Sequence, residues 1–197
     1  MQSSINHVRN GGLIKKEKLG QSFIFSDKIL FKKHPSCACT EGSTDAILYL
    51  MEEKGLTPEN VERIDIRVSP IAYRLVGHPF EVGQTPTVNA QFNIQYCVAN
   101  ALLRKGTSLR HFEESQIREP RITELIKKIH VGPDPALEGK IEVHLRTDMK
   151  VTTTKGDIYQ KTKDYEKSAE AYEAAANLDK WSFKDFFNLG KVCQIME

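Results

Sequence analysis

Val61-Glu62-Arg63-Ile64-Asp65-Ile66-Arg67-Val68 is the stretch from which the fold is read. Ile64, Ile66 and Val68 alternate with Arg63, Asp65 and Arg67, the two-residue period of a strand with one buried and one solvated face. Val61 falls off that phase. A strand wetted on one side predicts a sheet whose other side is covered by helices.

The segments on either side supply those helices. Upstream, Ala46, Ile47, Leu50 and Met51 recur at helical spacing across residues 43–54. Thr40 or Ser43 is the expected N-cap and Gly55 the stop, followed by a Thr57-Pro58-Glu59-Asn60 turn. Downstream, residues 69–88 hold three prolines and two glycines without a sustained period, which predicts a long loop. Residues 89–104 predict one amphipathic helix, with Gly106 as its C′ residue. Residues 110–116 predict a short helix. Pro120 opens another that runs through Ile122, Leu125, Ile126 and Ile129 until Gly132-Pro133. Residues 141–145 and 151–159 alternate again, with residues 147–150 as the turn of a β-hairpin.

The ends read differently. Residues 1–18 are a polar lead-in, and residues 22–31 predict a strand, or a hairpin turning at Asp27-Lys28. Residues 161–197 predict a C-terminal helical hairpin. Gly156, just before it, and Gly190 within it are spaced as in a tetratricopeptide repeat, although two simply packed helices fit as well. The expected fold is α+β, a mixed and mostly antiparallel sheet with helices packed on one face, followed by that hairpin.

Composition narrows function by exclusion. The 197 residues are 40% hydrophobic and 27% charged with a net charge of +2, an ordinary globular balance that does not predict nucleic-acid binding. No apolar run reaches the roughly 18 residues that span a bilayer, and the polar N-terminus lacks an export signal. Cys37, Cys39, Cys97 and Cys193 match neither a CxxC nor a zinc pattern, which predicts free thiols in a reducing cytoplasm. His130 and His144 stand alone, and no phosphate loop, dinucleotide loop or HExxH motif is present, so neither metal nor cofactor is expected.

The chemistry concentrates in Phe31-Lys32-Lys33-His34-Pro35-Ser36-Cys37-Ala38-Cys39-Thr40. A cation, a proline bend, a hydroxyl and a thiol lie just ahead of a helix start, where free N–H groups and the helix dipole favour an anion. His34 and His78 are possible proton carriers.

Leu19-Gly20, Phe31 to Cys37, Thr40 and Asp45-Ala46 resemble the start of the C-terminal domain of the MmgE/PrpD family. Thr85-Pro86-Thr87 and Ala90-Gln91-Phe92-Asn93-Ile94-Gln95-Tyr96-Cys97-Val98-Ala99, followed by Ala101-Leu102-Leu103, resemble its central signature. Thr154-Lys155-Gly156-Asp157-Ile158-Tyr159 also has the family look, so the resemblance covers about residues 19–160. The family includes 2-methylcitrate dehydratase, cis-aconitate decarboxylase and iminodisuccinate epimerase. It implies a metal-independent enzyme for small di- and tricarboxylates that removes a proton next to a carboxylate. It also implies a homodimer with a larger helical N-terminal half, so this chain corresponds to the smaller half.

By that resemblance Lys32 faces substrate and stabilises enediolate charge. Cys37 takes a position that is histidine in the decarboxylase branch, and Tyr73 lies near a site tyrosine. Ser36, Thr40 and His34 are then substrate-binding residues, while Gln91 and Tyr96 orient the signature helix. Dehydratase ranks above epimerase, and epimerase above decarboxylase. The partners expected of the enzyme are a small polycarboxylate substrate and the helical half or a second copy of the chain, with no nucleic acid or membrane; the alternative is a non-catalytic interaction or dimerisation module.

Overall fold

The computed structural model describes residues 8–9, 12–13, 32–137 and 146–163, in two compact units, 1–31 and 32–197. In the first unit β1 (Val8–Arg9) pairs antiparallel with β2 (Gly12–Leu13). The strand expected at 22–31, the one at 141–145 and the helical hairpin beyond residue 163 lie outside the described residues.

The second unit is α+β. A four-stranded mixed sheet has the order β4 (Ile129–Pro133), β3 (Val61–Val68), β5 (Thr147–Thr153), β6 (Ile158–Lys163). The β3–β4 pair is parallel and the other two are antiparallel. Ile64, Ile66 and Val68 of β3 and Met149 and Val151 of β5 are buried in one core with Ile47 and Leu50 of α1 (Ala38–Lys54) and Ile94, Tyr96 and Leu102 of α4 (Ile94–Arg104). Arg63 and Asp65 pair with each other on the opposite, wetted face, and Lys150 is exposed there. Arg67 on that face lies so close over Gly132 that an added Cβ would collide with its Nη1.

Val61 reaches the core by a bulge. Pairing with β5 steps from Arg63↔Thr152 to Val61↔Thr153, so Glu62 is an extra residue that resets the alternation. The off-phase valine of the sequence is thereby fully buried.

Four expectations are corrected. First, α1 begins at Ala38, so Thr40 and Ser43 lie inside the helix, and Cys37 is the N-cap without a side-chain cap bond. Thr40 Oγ1 donates to Cys37 O at 2.7 Å and Thr44 Oγ1 to Thr40 O at 2.9 Å, which lets hydroxyls sit within the helix rather than start it. Gly55 does stop α1, in the left-handed region at φ 63.

Second, the loop expected at 69–88 contains α2 (Pro70–Val76) and the start of α3 (Pro86–Gln91). Two of its three prolines, Pro70 and Pro86, are helix starters that sit in the first turn, and Ser69 Oγ accepts from Ala72 N at 3.2 Å. Third, the single helix expected at 89–104 is two, because buried Asn93 leaves the helical region and caps α4 through Tyr96 N at 3.0 Å. At its far end Lys105, not a glycine, adopts the left-handed conformation.

Fourth, strand boundaries shift. A 3-10 turn, Leu109–Phe112, and the short α5 (Glu114–Ile117) precede α6 (Pro120–Lys127), and Ile129 belongs to β4 rather than to that helix. The hairpin turns at residues 154–157, where Gly156 has φ 86, and residues 147–150 lie within β5. Residues 161–163, expected in the terminal hairpin, complete β6. Among the described residues no helix is long and apolar enough to cross a membrane.

Ile64 is fully buried and is paired with Ile129 on one side and Val151 on the other. Ile64→Ala is expected to cost about 3 kcal/mol of stability, read as a lower denaturant midpoint at unchanged slope.

Candidate functional site

The turn at residues 32–37 is pinned from two sides. His34 is 4% exposed, with Nε2 donating to Asp45 Oδ1 at 2.7 Å and Nδ1 lying 2.7 Å from Thr107 Oγ1. Lys33 Nζ reaches the same Asp45 oxygen at 3.1 Å. On the other flank Cys37 N donates to Gln91 O at 2.9 Å, and Gln91 Nε2 donates to Pro35 O at 3.0 Å. The turn is thus tied to α1, to the segment after α4 and to the end of α3.

Within it, Ser36 and Thr40 are buried with their hydroxyls 2.8 Å apart. Their polar atoms and both ring nitrogens of His34 are therefore bonded inside the protein. Lys32 is exposed and donates one hydrogen to Ser36 O at 3.0 Å, leaving two ammonium hydrogens for another acceptor. Lys33 is 42% exposed beside it. The surface of the turn is cationic over a buried, carboxylate-held interior.

Cys37 is half-buried at the N-cap, where its carbonyl also accepts from Thr40 N at 2.8 Å. Burial, with Cys37 alongside, pushes the Cys39 thiol up to about 11, and burial pushes Cys97 behind the turn to about 11 as well. Those two sulfurs are held as thiols rather than nucleophilic thiolates. Tyr73 is half-buried on α2, its ring against Gly77, and among the described residues no hydrogen bond joins it to the turn. His78 is exposed. Tyr96 is buried in the wall, where burial pushes its hydroxyl up to about 12 and the backbone oxygen of His111 accepts from it. Gln91, expected to orient the signature helix, instead ties the end of α3 to the turn through Pro35 O.

The sequence reading passed over Glu41, in the first turn of α1. Its Oε1 is enclosed and has no hydrogen-bond partner. Burial holds the carboxyl above its ordinary 4.5, Asp45 adding to this while His34, Lys32 and Lys33 oppose it. Glu41 and Asp45 are one helical turn apart, so they share a face of α1. Two acids at that spacing behind a lysine-rich turn were the available signal.

Among the described residues no group of histidine, cysteine and acidic side chains converges as a metal site. A hollow of about 260 Å³, lined by Lys54, Leu56, Asn60, Thr153, Lys155, Asp157 and Tyr159, lies at the other end of α1. That is roughly 25 Å away along the helix, so it is separate from the turn.

The profile of the MmgE/PrpD C-terminal domain matches residues 34–180. Human cis-aconitate decarboxylase is 30% identical over 112 residues, which cover 54% of this chain and 22% of that protein. The mouse cis-aconitate decarboxylase is 26% identical over 113 residues with the same coverage of each. The matched part of the chain thus spans less than a quarter of either relative's length.

Asp45→Ala strands His34 and Lys33, and is expected to cost about 3 kcal/mol. Lys33→Ala, at an exposed position, is expected to cost under about 1 kcal/mol; paired chemical melts compare the two. Because folding raises the Glu41 pKa, the folded state holds that proton more tightly, and the group's contribution is full below pH 4.5 and lost as pH rises through the raised value. Glu41→Gln should therefore raise the thermal midpoint near neutral pH and give no gain below pH 4.5.

Proposed function

The chain belongs to the MmgE/PrpD family through its C-terminal domain, and on that premise we propose that its turn is the carboxylate-binding wall of a metal-independent hydro-lyase for small di- and tricarboxylates of the 2-methylcitrate kind. One observation carries the reading. Lys32 is an exposed ammonium with unused donors, mounted on a turn that His34, Asp45 and Gln91 hold rigid.

Removing a proton next to a carboxylate places negative charge on its oxygens. A fixed ammonium there lowers the barrier without having to reorganise. Lys32 supplies that charge and Lys33 adds to the local field. Cys37 and Tyr73 are proposed to contact substrate from the N-cap of α1 and from α2. His34, Ser36 and Thr40 act on the substrate through the shape of the turn, since their polar atoms are bonded within it.

The base that takes the proton belongs to the helical half of the enzyme. Both reactions named for the family, dehydration and the decarboxylation named for the human relative, develop charge beside a carboxylate. Dehydration is placed first because Cys37 stands where the decarboxylase branch has histidine. A non-catalytic dimerisation or interaction module is the second reading, favoured by the internally satisfied Ser36 and Thr40.

The test is to supply the helical half of a family member together with this chain and to follow water loss from 2-methylcitrate. Lys32→Ala is expected to lower kcat/KM by about 100-fold or more. Undiminished turnover in Lys32→Ala would remove the assignment, and failure of this chain to bind citrate in calorimetry would favour the module.

A further inference from the structure

We propose that Glu41 is the proton donor of this site, delivering its carboxyl proton to the group that leaves from the substrate beside Lys32. The inference rests on the functional reading above and adds the acid that this half contributes.

Several polar side chains of the turn and of the helix behind it are already committed within the protein. Asp45 Oδ1 is committed to His34 and Lys33. His34 has both ring nitrogens engaged, and Ser36 and Thr40 bond each other. Cys39 and Cys97 are thiols too weakly acidic to release a proton near neutrality. Among the described residues Glu41 alone keeps an enclosed side-chain oxygen without a partner.

A buried carboxyl oxygen left unpaired is destabilising, so such a group calls for an explanation. A ligand supplies one. The titratable groups whose charges act on Glu41 or feel its own are Lys32, Lys33 and His34 from the turn and Cys39 and Asp45 from α1. A first-turn carboxylate is ordinarily stabilised by the helix dipole. Here burial overrides that influence and favours the neutral, proton-bearing form.

The step balances. A base of the helical half takes the proton from carbon, and the electron pair of that C–H bond becomes the new C=C bond. The C–O bond breaks with its pair on oxygen, and the Glu41 proton joins it, so water departs. Glu41 is left as a carboxylate within the field of Lys32 and Lys33, and water that enters as the product departs returns its proton.

The experiment uses the full chain and citrate, titrated calorimetrically near neutral pH in buffers of different ionisation enthalpy, which counts protons exchanged on binding. A tricarboxylate arriving against Glu41 raises its proton affinity. The wild type should therefore take up a fraction of a proton per citrate more than Glu41→Gln does. The variant, neutral for neutral, should bind within about threefold of wild type.

Equal proton counts in the two proteins, with binding intact, would overturn the Glu41 assignment and leave the carboxylate-binding reading standing. Much tighter binding by Glu41→Gln would also overturn it, since that result means Glu41 meets the ligand as an anion. No binding by wild type would defeat the functional reading itself, and this inference with it.

Discussion

A single carboxylate oxygen organises the candidate site. Asp45 Oδ1, on α1, receives the buried imidazole of His34 at 2.7 Å and the ammonium of Lys33 at 3.1 Å. Charged groups in such a place are tolerated only when paired. The pairing fixes where the chain must run before α1, and the Pro35 and Cys37 bonds to Gln91 close the other side. Lys32 is then displayed at a definite place on the surface instead of trailing from a loose strand end.

Much of the fold was legible because its physical signals are local. The period of Ile64, Ile66 and Val68 marked the central strand and its wet face, and Gly55 ended α1 where its left-handed conformation is needed. Less was legible where one residue type serves opposite ends. Pro70 and Pro86 read as breaks although each begins a helix. Ile129 fits the apolar stripe of a helix and the interior of a strand equally well, and only its pairing with Ile64 decides. Asn93 looked like one more helical residue, yet its side chain bridges His78 O and Tyr96 N and so separates two helices.

The site was legible in outline and not in detail. The turn stood out by composition, and the family likeness pointed to Lys32. What no spacing rule conveys is which polar atoms are already satisfied. His34, Ser36 and Thr40 have the chemistry of ligands, but their partners lie 73, 11 and four residues away within the chain. Glu41 escaped notice for the opposite reason. A glutamate in a helix's first turn is commonplace, and only packing distinguishes one whose oxygen is sealed from water.

The parallel union of β3 with β4 has a consequence for how the molecule is built. Between Val68 and Ile129 the chain lays down five helices, α2 to α6, before the two strands can meet. Such a pairing gathers its loop-closure entropy cost before it returns any contact. The β5–β6 hairpin, by contrast, can zip locally across its four-residue turn. A full-length chain that refolds would therefore hold its hairpin early and seal its sheet last, with the helical layer serving as the jig on which that final seam is joined.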